Sequence, residues 1–541
     1  MKHISVWLLL ISLLSLDAKC QNDRGRYAID EMLSKWQSLD MPGVAIKVVQ
    51  RGHVIYENHV GLADIKKNIK IDSTTQFWIA SVTKQFTAAG IYLLESQGRI
   101  DLNHSIRVYL KDLPQLFQPV TLNHLLHHTS GIRDGFVLTA LSKKGEESYT
   151  NENVFKYLKM QEKFNFRPGS EFEYNNSGYV LLASVIEHVS KKSYPDFMKS
   201  EIFEPLGMSH SYVSGAYLMT PQLAKGYHSS DYSNKPGTFE EQEFRGNTYG
   251  STGVITTSSD LVKWATAIQA IQHSGKFPAI FQKMLQQGKL NNGSSITYAG
   301  GLERFLYYSQ PVYEHFGADE GFKANMIYFP NDALSIIGLT NNSTDYQLSQ
   351  KLYSIADKIK GVQHNDDASF ERDTIVISEG FYYGTQYVPG FRKIKRYQSH
   401  VAMSESVTAN QIMHRKRGDT IVANYPVTST YIIDKKDHIL INDLNGGTSR
   451  RLSWIEPVKR TEDLNKFVGT YYSTELETSY DIKLTNNQIV FEFVPGLQIP
   501  LFRITENDFV FEYSGSNFIQ FDNTGFKFSR EGCRNLSFKK K

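Results

Sequence analysis

A hydroxyl and an amine stand three residues apart at Ser81 and Lys84, inside the stretch IASVTKQFTA. On a helix, positions i and i+3 share a face, so the Lys84 head reaches the Ser81 hydroxyl, and a serine that opens the helix also sits at the positive end of its dipole. The residues that follow include Ala88, Ala89, Ile91, Leu93 and Leu94 and stop at Gly98. A helix that is apolar nearly all round is a buried one. A lysine in such a helix needs a reason: burial disfavours its charged form, pulls its pKa toward neutrality and makes the amine a base for a neighbouring hydroxyl. The spacing alone carries little, because Ser537 and Lys540 repeat it in a polar tail. Burial separates the two. A Gly-x-Ser-x-Gly elbow is absent from the chain, which argues against an α/β-hydrolase.

Other constellations compete. His124, His127 and His128 in HLLHH have the look of a metal site, and His128 beside Ser130 that of a Ser-His pair. A metalloprotease wants a Glu next to the first His, and it is missing. Tyr-x-Asn occurs at Tyr56, Tyr149, Tyr174 and Tyr232; only Tyr174 lies between a Pro-Gly turn (Pro168-Gly169) and an apolar helix, from about Gly178.

The elements that must position these groups are legible in outline. GVAIKVVQRGHVIYENHVG reads as a hairpin about Arg51-Gly52, preceded by an amphipathic helix at about 27 to 37. Strand patterns return between Tyr298 and Thr340 with short turns, and a helix from about Thr344 to Ile359 follows. The economical arrangement is one antiparallel sheet joining the early hairpin to the late strands, with the terminal helices on one face and the Ser81 helix on the other. A polar stretch at 361–373 reads as a linker. Beyond it, short alternating runs in 374–541 predict an all-β barrel or sandwich. GFYYGT near Gly380 and FVGTYYS near Phe467 are weakly alike, consistent with two small β units.

Composition bounds the function. The chain has 541 residues, 40% hydrophobic and 21% charged, with a formal net charge of +3, and no basic run suits a string of phosphates. Nucleic acid is therefore not an expected partner. Lys2, the apolar run Ile4 to Leu16, and Ala18 and Cys20 make residues 1–20 a signal peptide, too short an apolar run to span a bilayer. Cleavage after Cys20 leaves Gln21 first; an acylated Cys20 is the rival, with Asp17 and Lys19 as poor neighbours for that signal. The expectation is an exported protein, periplasmic or secreted. Cys533 then stands alone, with no intrachain disulfide to form.

Further motifs follow in a fixed order: FWIASVTKQFTAAGIYLLESQGRIDLN, LNHLLHHTSGI, RPGSEFEYNNSGYVLLASVIEHVSKKSYPDF, IFEPLGMSHS, GSTGVITTSSDLVKWATAI and HFGADEGF. In these motifs the chain, over about residues 24 to 360, resembles the class C β-lactamase-like serine hydrolases, which include D-alanyl-D-alanine carboxypeptidases, D-aminopeptidases and esterases. The resemblance implies an α/β (α+β) fold: an antiparallel sheet flanked by helices, plus a helical subdomain, over 21–360. The region after the linker resembles a lipocalin-like barrel, best over 463–541.

The same resemblance implies roles. Ser81 would be the acylated nucleophile, Lys84 its helical partner, Tyr174 the phenol exchanging protons with both, Asn176 the holder of the substrate amide, and His315, in HFG with Gly317, the third box. The oxyanion would meet the backbone N–H groups of Ser81 and Ala318. Which of Lys84 and Tyr174 is the base stays open, since a close amine and phenol titrate as a pair. HTSGI would be a structural turn. No cofactor or metal is implied. The implied substrate is a peptide, ester or β-lactam, with D-residue peptides favoured because many relatives have Lys-Thr-Gly where this chain has His315, a weaker and pH-dependent cation. Asp319 and Glu320 lie just past the oxyanion position; apart from the resemblance, exposed loop carboxylates are the plainer reading of the pair, and recognition of a substrate ammonium by one of them is the alternative. A homo-oligomer is left open, and the contrasting reading is a catalytically silent binder of cell-wall peptide.

Overall fold

Arg51 and Gly52 both adopt the left-handed region, with φ of 49° and 79°. That is what a two-residue turn needs to match the twist of its strands. It joins β1 (Val44–Gln50) to β2 (His53–Val60). The computed structural model describes residues 41–362 apart from 143–148, 215–219, 244–247, 271–274 and two single positions. It also describes part of 27–34, strand backbone between 380 and 455, and 463–541 apart from 495, 513–515 and 531. The expected leader, residues 1–20, and most of the 361–373 linker lie outside the described residues.

Four later strands complete the sheet: β3 (Glu303–Tyr307), β4 (Gln310–Asp319), β5 (Phe322–Phe329) and β6 (Leu334–Thr340). The order is β3-β4-β5-β6-β1-β2, antiparallel throughout. The single sheet expected from the early hairpin and late strands is thus observed. Four helices frame it and the site: α1 (Thr83–Ser96), α2 (Asn176–Ser190), α3 (Ser258–Gln269) and α4 (Leu348–Lys360). Successive β1 side chains serve opposite faces. Val44, Ile46 and Val48 pack with Leu348, Leu352 and Ile355 of α4, while Ala45 and Val49 join the larger core containing α1 and α3.

Two helix starts differ from the sequence reading. Ser81 lies not in α1 but in a 3-10 turn, Ala80–Val82, just before it. The strand Gln76–Trp78 must reverse into α1 within a few residues, and Ala80 takes φ of 44° to do so. The helix expected near Gly178 begins at Asn176, because the Asn175 side chain accepts the Gly178 N–H at 3.0 Å and caps it.

The C-terminal part is all β. Eight strands between Gly380 and Ile455 form a closed antiparallel barrel, and nine between Gly469 and Lys540 form a separate sheet. The look-alike segments near Gly380 and Phe467 each lead into one of these two sheets. The last two strands, β7 (Gly525–Arg530) and β8 (Cys533–Lys540), form a hairpin. Phe491, Phe526, Phe528 and Cys533 lie in an aromatic core that also takes in Leu138, Leu141 and Tyr157 from the earlier part of the chain. Burial there pushes the Cys533 thiol up to about 12, so it is packing, not a nucleophile.

Buried Asn341, just past β6, ties three segments together. It accepts the Gly43 N–H at 2.8 Å and donates to the carbonyls of Leu62 and Lys225, each at 2.9 Å. Asn341→Ala leaves those groups unpaired and is expected to cost about 3 kcal/mol, read as a lower thermal midpoint with the folded-state circular dichroism unchanged.

Candidate active site

Lys84 is completely buried, whereas Ser81 keeps partial access to solvent. The Lys84 Nζ donates to three oxygens: Ser81 Oγ at 3.1 Å, Asn176 Oδ1 at 2.8 Å and the Ser251 carbonyl at 2.9 Å. Among the described residues, no carboxylate pairs with it. Burial brings its pKa down to about 7, against the pull of Asp134 and Asp319, which favour the charged form. The amine is therefore near its midpoint at neutral pH and within hydrogen-bond reach of the serine.

The turn that carries Ser81 is held from both sides. Ile79 N–H donates to the Val254 carbonyl at 3.1 Å, and Val254 N–H donates to Thr83 Oγ1 at 3.1 Å. Ala80, a non-glycine residue at positive φ, stores backbone strain immediately before Ser81. Gly317 of β4 passes so close that a Cβ there would lie 2.3 Å from the Ile79 carbonyl and 3.1 Å from the Ser81 nitrogen. From His315 to Asp319, β4 pairs with β5 but not with β3, whose register ends at Glu303 opposite Glu314. This free edge runs beside the Ser81 amide, where the oxyanion donors were expected.

Tyr174 approaches from the start of α2. Its hydroxyl faces Ser81, and its ring centroid lies 4.8 Å from Lys84 Nζ. Burial raises the phenol far above its ordinary value. Asn176 is the first residue of α2; its carbonyl oxygen is taken by Lys84. The sequence motif YNN thus divides its labour: Tyr174 reaches the serine, Asn175 caps the helix and Asn176 meets the lysine.

His315 differs from the expected cation. It is 2% exposed, its Nδ1–H donates to the Phe316 carbonyl at 2.8 Å, and its Nε2 accepts from the Tyr298 hydroxyl at 2.9 Å. Burial and the Lys84 charge lower its pKa to about 3. At any ordinary pH it is a neutral ring with both nitrogens engaged. Its ring centroid is 6.1 Å from that of Tyr174, so it lines the site without supplying charge. Exposed Ala318 and Asp319 end β4; Asp319 Oδ1 accepts the Glu320 N–H at 2.9 Å, and its Oδ2 is 3.5 Å from Thr252 Oγ1, next to Ser251.

The HLLHH histidines have local partners. His124 Nδ1 accepts the Thr121 N–H in a capping box, and His127 Nδ1 bonds the Asn123 carbonyl. His128 Nδ1 accepts the Asn175 N–H at 3.1 Å, so its proton sits on Nε2, which has no hydrogen-bond partner among the described residues. The ring packs 4.4 Å from Tyr174 and 4.3 Å from Tyr298, centroid to centroid. Sequence reasoning assigned no site role to His128, Tyr298, Ser251 or Asp134. Asp134 Oδ2 accepts the Asn176 N–H at 2.6 Å and its Oδ1 the Phe136 N–H at 2.8 Å. The signals at His128 were the HLLHH cluster, the neighbouring Ser130 and the HTSGI turn, and none of them pointed to packing against Tyr174.

A buried amine on a serine, a phenol beside both and a strand edge beside the serine amide are thus brought together in one place. The chain belongs to the Beta-lactamase family, whose model matches residues 30–356. It is similar to penicillin-binding protein 4* of Bacillus subtilis (strain 168), 29% identical over 330 residues, 58% of this chain and 71% of that one. It is also similar to protein flp of Staphylococcus aureus (strain NCTC 8325 / PS 47), 27% identical over 320 residues, 57% of this chain and 61% of that one. The fold is shared with the octameric penicillin-binding protein homologue from Pyrococcus abyssi, at TM-score 0.57 and 22% identity over 79% of this chain and 99% of that chain. It is shared as well with the D-amino acid amidase from Ochrobactrum anthropi SV3, at TM-score 0.52 and 21% identity over 63% and 97%.

Gly317→Ala tests the close approach. Its Cβ must displace the Ile79–Ser81 turn, and a shift of about 1 Å at a nucleophile can cost on the order of a hundredfold in rate. Slowed labelling of Ser81 by a fluorophosphonate, with an unchanged circular dichroism spectrum, is the expected outcome.

Proposed function

We propose that this protein is an exported serine hydrolase that cleaves amide bonds of D-residue-containing peptides through an acyl-enzyme on Ser81. The observation that carries the reading is the 3.1 Å contact between Ser81 Oγ and a fully buried Lys84 whose pKa is near 7. Lys84 is the base: the neighbouring phenol is pushed the other way and stays protonated. Ser81 Oγ attacks the carbonyl carbon while its proton passes to Lys84 Nζ. The amides of Ser81 and Ala318 hold the oxyanion, each such donor contributing about 3 kcal/mol. As the C–N bond breaks, Tyr174 delivers its proton to the leaving nitrogen and is reprotonated from Lys84. Water then releases the acid by the reverse steps, restoring Ser81.

Neutral His315 in the third box supplies no fixed cation for a substrate carboxylate, which favours D-aminoacyl amides and peptides over β-lactams; esters are the second choice. Asp319, at the exposed end of β4, is the carboxylate to meet a substrate's free ammonium. The fold shared with a D-amino acid amidase is in keeping with this choice.

Three outcomes test the reading. Intact-mass analysis after fluorophosphonate or penicillin should show one adduct, lost in Ser81→Ala; no adduct with either reagent on folded protein favours the silent peptide-binding alternative. Because the base form of Lys84 exists above its pKa, acylation should rise with pH and reach half its plateau near pH 7, and Lys84→Ala should lose about 10²- to 10⁴-fold. Against a panel of D-aminoacyl amides, nitrophenyl esters and β-lactams, Asp319→Asn should lower turnover of the free-amine amides and spare the esters. Equal losses on both classes would remove Asp319 from substrate selection.

A further inference from the structure

We infer that the β7–β8 turn of the C-terminal nine-stranded sheet is a positioning element of the hydrolase site, acting on Tyr174 and Asn176 through Glu173 and Asp134. The inference rests on the reading of Ser81 and Lys84 given above and adds to it residues some 360 positions away in sequence.

Gly532, in that turn, is wedged between two segments of the hydrolase. Its carbonyl accepts the Asp134 N–H at 2.7 Å, and its own N–H donates to Glu173 Oε1 at 3.1 Å. Arg534 extends the grip. Its guanidinium lies 3.1 Å from Glu173 Oε2 and 2.9 Å from Glu171 Oε2, and the Arg534 backbone N–H donates to Asn165 Oδ1 at 2.8 Å. Asn165 in turn donates to Glu173 Oε2 at 3.1 Å. Buried Arg133 closes the joint by donating to the Arg534 carbonyl at 3.0 Å while pairing with Glu475 of the same nine-stranded region.

Both residues held by the turn are one step from the chemistry. Glu173 precedes Tyr174 in the chain, and Asp134 accepts the Asn176 N–H. Glu173, Asp134 and Arg534 are 8%, 4% and 4% exposed, so these charges have little water to fall back on and their geometry is set by one another. The turn has no slack. Gly532 takes φ of 79°, and a Cβ on it would lie 3.0 Å from Asp134 Cβ and 3.2 Å from Val137 Cγ2. A simple fastening between two domains has no need to grip both the residue before the catalytic tyrosine and the carboxylate that holds Asn176.

The test uses the full chain and follows Ser81 phosphonylation by a fluorophosphonate from pH 5 to 9 in wild type, Gly532→Ala, Arg534→Gln and Arg534→Lys. The charged and titratable groups around Lys84 are Asp134, Asp319, His128, His315, Tyr174 and Tyr179. Only the first is gripped by the turn. Moving Asp134 away removes an anion that favours the charged amine, so the midpoint of the acid limb should fall in Gly532→Ala, with a rate loss of roughly tenfold. Arg534→Gln should lose a similar factor, and Arg534→Lys should recover most of it. A ¹³C-lysine titration of Lys84 by NMR runs alongside and needs no turnover. Should wild-type Ser81 fail to react, the hydrolase reading falls, and the Lys84 midpoint in Gly532→Ala decides the inference: a lower midpoint supports it and an unchanged one overturns it. Wild-type rates and midpoints in Gly532→Ala and Arg534→Gln, even with lowered thermal stability, would also overturn it.

Discussion

Everything at the site depends on how Lys84 is solvated. A lysine head taken out of water loses its hydration, and the protein replaces that hydration with three neutral oxygens, from Ser81, Asn176 and Ser251. Had a carboxylate been the partner, the charge would be locked in place and the amine would be useless as a base. Had the pocket been wholly apolar, the head would be neutral but without direction. Neutral acceptors give an intermediate answer, an amine that titrates near 7 and points at a serine. The acids that favour its charge, Asp134 and Asp319, stand off and act through space.

That arrangement needs three remote pieces of chain to converge. The turn before α1 brings Ser81, the start of α2 brings Tyr174 and Asn176, and the segment before β-strand Val254–Thr257 brings the Ser251 carbonyl. The first is fixed by positive φ at Ala80 and the absence of a side chain at Gly317, the second by an asparagine cap at Asn175, and the third by the bonds of Val254 to Ile79 and Thr83. Behind them, His128, Tyr298 and His315 form a neutral aromatic backing. In it His128 accepts from the chain at Asn175, His315 donates to the carbonyl at Phe316, and Tyr298 donates to His315. Most polar atoms in so dry a place are paired among themselves, His128 Nε2 being the exception in this group.

What was legible in the sequence had a short range or a strong pattern. The Arg51-Gly52 turn, the strands between Tyr298 and Thr340, the buried helix after Ser81 and the single sheet all followed from periodicity and turn chemistry. Family resemblance supplied the order of the motifs, and the Beta-lactamase match over 30–356 agrees with it. The helix boundary at Ser81 was misread, since nothing in the letters IAS announces that an alanine will adopt a left-handed conformation. His315 was taken for a titrating cation because burial cannot be read from a strand end. Asp134 and the Gly532 turn were invisible for a different reason: their importance lies in contacts between distant segments, which leave no local periodicity.

The separation of 359 positions between Glu173 and Gly532 also has a meaning in time. A chain made from its N-terminus forms local contacts first, and pairings between remote segments come last. During synthesis the loop carrying Tyr174 is therefore complete long before the turn that grips Glu173 exists, with a whole eight-stranded barrel still to be made in between. Until that hairpin arrives, Glu173 lacks the Gly532 N–H and the Arg534 guanidinium as partners. The contacts around Glu173 are in this sense completed only when the far end of the polypeptide is in place.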